Sequence, residues 1–192
     1  MNRNNFWNDA AKAGAILGVL LAVSFVVENQ ITLAGRAGLY MLYLVEWIAV
    51  VAAHYYLLHR FARSRSALCT AEEGFSFMQG YTSVLAVSGL AGIIVGAVQA
   101  LYLHVAVGYS AYVDRLIAAV ERIVAGSGGI PASMEGLFAQ SMEQLQTAPV
   151  PSVLQTLWGG IFSSLLFGAV FGLIIAGVLS RAPRPFGEPG NE

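Results

Sequence analysis

An all-α, polytopic membrane helix bundle with four transmembrane helices is predicted by three observations. Hydrophobic residues make up 57% of the 192-residue chain and charged residues only 11%. The mean hydropathy is +0.66. The apolar residues fall into four long blocks, each near the roughly 20 residues that a helix needs to cross a hydrocarbon core of about 30 Å. This balance excludes a water-soluble globule. The net charge of −1 gives no bulk attraction for nucleic acid, which is not expected as a partner. Cys69 stands alone, so an internal disulfide is excluded.

The first block, residues 11–27, is interrupted only by Lys12 and Ser24 and is followed by Glu28, Asn29 and Gln30. Arg3 and Lys12 also suit the start of a secretory signal. No small-x-small cleavage pattern with a soluble domain behind it follows, so the block reads as a retained span. The second, 37–58, contains Glu46 and His54; the third, 80–107, contains Gln99 and His104. The fourth, 153–179, is opened by Pro151 and Ser152, suited to starting a helix, and ends at Ser180 and Arg181 before Pro183 and Pro185. The whole chain, 1–192, reads as one membrane domain.

Four spans leave both termini on one side. Arg3, Lys12, Arg60, Arg63, Arg65, Arg181 and Arg184 belong to that side, against Arg36, Arg115 and Arg122 on the other. The excess predicts cytoplasmic termini, and residues 108–152 then form an external loop. In its first half Val113, Leu116, Ile117, Val120 and Val124 share one helical face, with Ser110 as a cap and Gly126 as the end. Gly126 to Pro131 form a break, and Met134, Leu137, Phe138 and Leu145 mark a second, weaker amphipathic stretch. Neither half can bury a core alone, so both are expected to lie on the membrane or cap the bundle, with a partner-docking surface as the alternative.

Small residues recur at every fourth position: Gly14, Gly18 and Ala22; Ser88, Gly92, Gly96 and Ala100; Ser164, Gly168, Gly172 and Ala176. Such stripes let helix backbones approach where lipid removes the hydrophobic drive. Spans three and four are expected to pair through theirs.

The run Lys12-Ala13-Gly14-Ala15-Ile16-Leu17-Gly18, the segment Gly74-Phe75-Ser76-Phe77, then Gly80 and Tyr81, a helix-rich loop and a glycine-rich last span closed by arginine and proline carry a family likeness. Together they resemble an uncharacterised bacterial family of small four-helix membrane proteins, domain of unknown function 4199, over nearly the whole chain. The resemblance implies an integral protein of the bacterial inner membrane, associated with envelope glycoconjugate assembly. It supplies no catalytic residues.

Three intramembrane polar residues form the candidate site: Glu46, His54 and Gln99. An ionised Glu46 costs several kcal/mol near the centre of a bilayer unless it is neutralised, paired or hydrated. Ser24, Ser163 and Ser164 lie at similar depth as hydrogen-bond partners. A neutral carboxyl that orients the bundle is one role for Glu46; a proton or cation site is the other. His54, about 12 Å further along the helix, is expected just inside the cytoplasmic interface beside Tyr55 and Tyr56. Gln99 lies about 10 Å inside its span, and with Glu28, Asn29, Gln30, His104, Gln155 and Thr156 would line an external vestibule above Glu46.

Motifs for zinc hydrolysis, thiol redox chemistry, dinucleotide binding and phosphate loops are all missing, so no cofactor, no metal site and no enzymatic activity are expected. Arg60, Arg63 and Arg65, beside Ser64 and Ser66, make a short patch suited to anionic lipid. The sequence thus favours a non-enzymatic accessory or scaffold subunit of an envelope process, in contact with lipid and with another membrane protein or further copies of itself. A small transporter or channel-like protein using Glu46 is the alternative.

Overall fold

The computed structural model describes residues 5–183; Arg3, Arg184 and Pro185 lie outside them. Helix α1 spans Phe6–Ala34, α2 Tyr40–Ser66 after a 3-10 turn at Ala37–Leu39, and α3 Phe77–Leu101. The last of these continues as a π-helical turn, Tyr102–Ala106. Helices α4 (Tyr109–Gly126) and α5 (Glu135–Thr147) follow, and α6 (Val153–Leu179) closes the bundle. Four helical segments are long and apolar enough to cross a membrane: Phe6–Ala34, Ala37–Ser66, Phe77–Ala106 and Val153–Leu179. The chain is a multi-pass membrane protein, all-α among the described residues but for one isolated bridge.

The helix starts follow from local chemistry. Ser76 and Ser152 each accept from the backbone N–H three residues on, while Gln79 and Gln155 accept from the serine N–H in return. These capping boxes satisfy donors that a helix start leaves open. Helix α4 enters instead through Gly108, at φ 82°, and Ser110 lies inside the helix rather than capping it.

Helix α3 is the central element. On one side Gly14 and Gly18 of α1 lie against it, a Cβ at Gly14 falling 2.7 Å from the Leu90 Cβ. On its other side α6 fits Gly92 and Gly96, where a Cβ at Gly92 would fall 2.8 Å from the Ile161 Cα and one at Gly96 would overlap the Leu157 carbonyl. Gly168 of α6 faces Ser88, and Gly172 faces Tyr81. The stripes thus bring α3 and α6 together. Leu17, Leu58, Val84, Val87 and Ile175, from all four helices, form a fully buried core nearer the end that carries both termini.

Helix α2 joins this core through one face only. Its buried residues are His54, Leu58, Phe61, Ala62 and Ser66, all in its second half, and Met41, Val45 and Ile48 in its first half are exposed. At the terminal end, the Arg181 guanidinium donates to the Ser66 and Cys69 carbonyls at 2.7 Å each, and its backbone bridges Phe75. Gly74, at φ +65°, allows this closure, because a Cβ there would sit 2.7 Å from the Arg181 carbonyl oxygen.

At the other end α4 covers the bundle. Its apolar face turns inward, with Ile117 and Ala119 buried. Arg122 reaches the Leu33 carbonyl at 3.1 Å. Helix α5 buries none of its residues.

Candidate functional site

Because α2 packs closely only in its second half, a gap remains between its first half and the other three long helices. There lies an open cavity of about 190 Å³, walled by Leu21, Ser24, Phe25 and Glu28 of α1, Trp47 to His54 of α2, Val95 and Gln99 of α3, and Gly160 to Phe167 of α6. The wall is mostly apolar. Its polar members are Ser24, Glu28, His54, Gln99, Ser163 and Ser164.

Glu46 stands beside this cavity. Ser24 donates its hydroxyl to Glu46 Oε1 at 2.6 Å, and Glu46 Oε2 is buried with no hydrogen-bond partner. Of the three serines at similar depth, Ser24 is thus the one that bonds Glu46. Glu28 lines the same cavity as Ser24 and lies within electrostatic reach of Glu46. Two carboxylates so close repel each other, and a proton or a cation between them removes the repulsion. The second carboxyl was hidden in the polar triplet after span one. Its signal is its spacing: Glu28 is one helical turn beyond Ser24 and on the same face.

Positions along the helix differ from those within the apolar block. Helix α2 continues through the arginine-rich segment to Ser66, so Glu46 lies about 9 Å along the axis from Tyr40 and about 30 Å from Ser66. His54, expected near an interface, is instead close to the middle of the helix. It is 4% exposed, with its ring 5.3 Å from that of Phe171 and 6.1 Å from that of Phe167. His54 Nε2 is buried and has no hydrogen-bond partner. The arginines from Arg60 onward do not end the helix because they fall in its last turns, where cations are favourable and long side chains reach water.

Gln99 faces the cavity opposite Gly160, where a Cβ would fall 2.9 Å from Gln99 Oε1. Glu46, His54 and Gln99 are therefore brought to one region of the bundle. Most of the other vestibule residues are engaged elsewhere. Asn29 donates to the Phe25 carbonyl of its own helix, and Gln155 belongs to the α6 capping box. Gln30 donates to the Tyr102 hydroxyl at 3.3 Å, and His104 bonds the Thr156 hydroxyl at 3.0 Å. The π-helical turn brings Tyr102 and His104 to these partners. Nearby, burial raises the Tyr112 phenol above its ordinary value, with Tyr102 and Tyr109 adding to the effect.

Among the described residues, no three of His, Cys, Asp and Glu come together as metal ligands do. The arrangement can hold a proton or a small cation between two carboxyls and accommodate water below them. No curated protein and no solved structure matches the chain. The family model described as "Protein of unknown function (DUF4199)" matches residues 12–181, an interval that takes in Glu28, Glu46, His54, Gln99 and the Arg181 closure, and the chain belongs to that family.

Proposed function

We propose that this is a non-enzymatic protein of the bacterial inner membrane that binds a proton or small cation at Glu28 and Glu46, as a small transporter or channel-like protein. The carrying observation is Glu46, held by Ser24, with a second carboxyl, Glu28, on the wall of the adjoining cavity inside the bundle. A carboxyl kept only for packing needs one satisfied partner; a second carboxyl against it adds repulsion that a bound cation or proton relieves. This favours the transporter-like reading over the accessory role first expected.

The non-enzymatic reading has its own support. Ser24 and Glu46 form a hydroxyl–carboxylate contact of the kind that activates nucleophiles, but Ser24 lies mid-helix. The backbone N–H groups around it are committed to α1, which leaves no backbone oxyanion hole beside it.

The positive-inside bias orients both termini to the cytoplasm, so α4 and α5 face the exterior and the cavity opens in the outer half of the bundle. Four spans are few for a transporter chain acting alone, and self-assembly belongs to the proposal. The test is proton and sodium flux in proteoliposomes. Glu46→Gln and Glu28→Gln should each abolish flux without unfolding the protein; unchanged flux in both variants would refute the site.

A second reading, an accessory subunit, is favoured by α5 and the residue that precedes it, where Leu137 is 66% and Met134 54% exposed. Purification from native membranes in mild detergent, with Glu46→Gln as control, tests it. A stoichiometric polytopic partner retained by both forms supports this reading, and isolation of the protein alone removes it.

A further inference from the structure

His54 is a buried titratable group that the carboxyl pair alone does not explain. Its Nε2 has no partner, and its ring forms part of the wall of the cavity that Glu28 also lines. A buried polar nitrogen left without a hydrogen bond costs about 1–3 kcal/mol. Water admitted against Nε2, which the present packing keeps buried, would remove that cost, and the adjoining cavity of about 190 Å³ has room for several waters. Beyond His54, toward the terminal end, the polar lining stops. Phe167 and Phe171 pack against the imidazole, with the Leu58 and Ile175 core beyond.

We infer that His54 is the inner proton acceptor of a relay that begins at Glu28 and Glu46. The inference rests on the proposed ion site and narrows its ion to the proton. Eight residues of helix separate Glu46 from His54, about 12 Å along the axis, a gap crossed by a short file of water. The step balances as a transfer: one carboxyl of the pair releases its proton to the adjoining water, the file passes it on, and Nε2 accepts it. An imidazolium and a carboxylate result, with the net charge of the site unchanged. Nδ1 must then carry the hydrogen of the neutral ring. The titratable groups on the His54 side are few. Helix α1 presents Glu28 on the cavity wall, and α2 presents Glu46 beside it with Tyr43 in electrostatic reach of both carboxyls, while α3 and α6 line the cavity with Gln99, Ser163 and Ser164, which do not titrate.

His54, His59 and His104 are the histidines of the chain, so replacing His59 and His104 by Gln leaves His54 as the single imidazole. The experiment is nitrogen NMR of that protein, labelled with 15N-histidine, in phospholipid nanodiscs. Expected are a neutral ring protonated at Nδ1, exchange broadening of the Nε2 resonance from its transient protonation, and slowing of that exchange by about tenfold or more in Glu28→Gln and Glu46→Gln, in line with the loss of a proton-transfer group. A ring protonated at Nε2, or exchange unaffected by either substitution, would overturn the inference. Flux separates it from the ion site itself. If Glu46→Gln stops proton flux and a folded His54→Gln does not, the relay fails while the ion site stands. If the wild type carries no flux yet His54 exchange depends on Glu28 and Glu46, the relay stands and the transporter reading fails.

Discussion

Ser24 Oγ lies 2.6 Å from Glu46 Oε1 and joins α1 to the half of α2 that has little other packing. Hydrogen bonds between membrane helices contribute about 0.6 kcal/mol on average and up to about 1.7. Ser24→Ala should therefore lower stability by about 1 kcal/mol, and Ser24→Thr, which keeps the hydroxyl, by less. Reversible unfolding in mixed micelles measures both, and equal losses for Ala and Thr would assign the effect to packing rather than to the bond.

The α3–α6 seam makes a sharper prediction. A Cβ at Gly96 would overlap the Leu157 carbonyl and one at Gly160 the Gly96 backbone, whereas Gly159 and Gly177 of the same helix have nothing within 4 Å. Overpacking against backbone has no flexible side chain to absorb it and costs about 1–3 kcal/mol or more. Gly96→Ala and Gly160→Ala should each lower the thermal midpoint by several degrees. Gly159→Ala and Gly177→Ala should leave it unchanged.

Arg181 fastens the α2–α3 loop to the end of α6 through two carbonyls that are not its neighbours in sequence. Hydrogen bonds to a charged group are worth about 1.5–3 kcal/mol. Arg181→Ala should speed amide exchange across residues 67–75 and leave the centre of α3 protected. Faster exchange throughout α3 would mean that the closure supports the whole bundle instead.

Gly35 ends α1 at φ +60°, and a Cβ there would lie 2.8 Å from the Ala119 Cα of α4. Gly35→Ala combines that collision with a left-handed backbone that costs about 1–2 kcal/mol for other residues. It should lift α4 from the bundle, and added protease should cleave residues 126–134 faster than in the wild type.

Much of the bundle can be read from the chain because lipid imposes length and apolarity on every span. The glycine stripes pointed to the α3–α6 contact because only small residues let backbones meet. The site was legible residue by residue but not as an assembly. Glu46, His54 and Gln99 each stand out against apolar surroundings, whereas the sequence offers Glu28 only as one of several span-end groups lining a vestibule above Glu46, not as its partner. Hydropathy marks where an apolar run stops, not where its helix does, and here α1 runs on to Ala34 and α2 to Ser66. Counted along the whole helix rather than the apolar run, Glu46 is off centre and His54 is near the middle. The π-helical turn at Tyr102–Ala106 has no comparable sign, since it depends on partners supplied by α1 and α6.

The uneven burial of α2 divides the molecule mechanically. Helices α1, α3 and α6 meet closely through glycine, whereas α2 rests on them through Leu58, Phe61 and Ala62 of its second half. Glu46 lies on the sparsely buried arm, tied to α1 by the Ser24 bond, and His54 where the buried half begins. A small tilt of that arm would change the distance between Glu46 and Glu28 while leaving His54 almost still. Motion and protonation would then be coupled at the carboxyl pair, with no helix needing to bend or unwind.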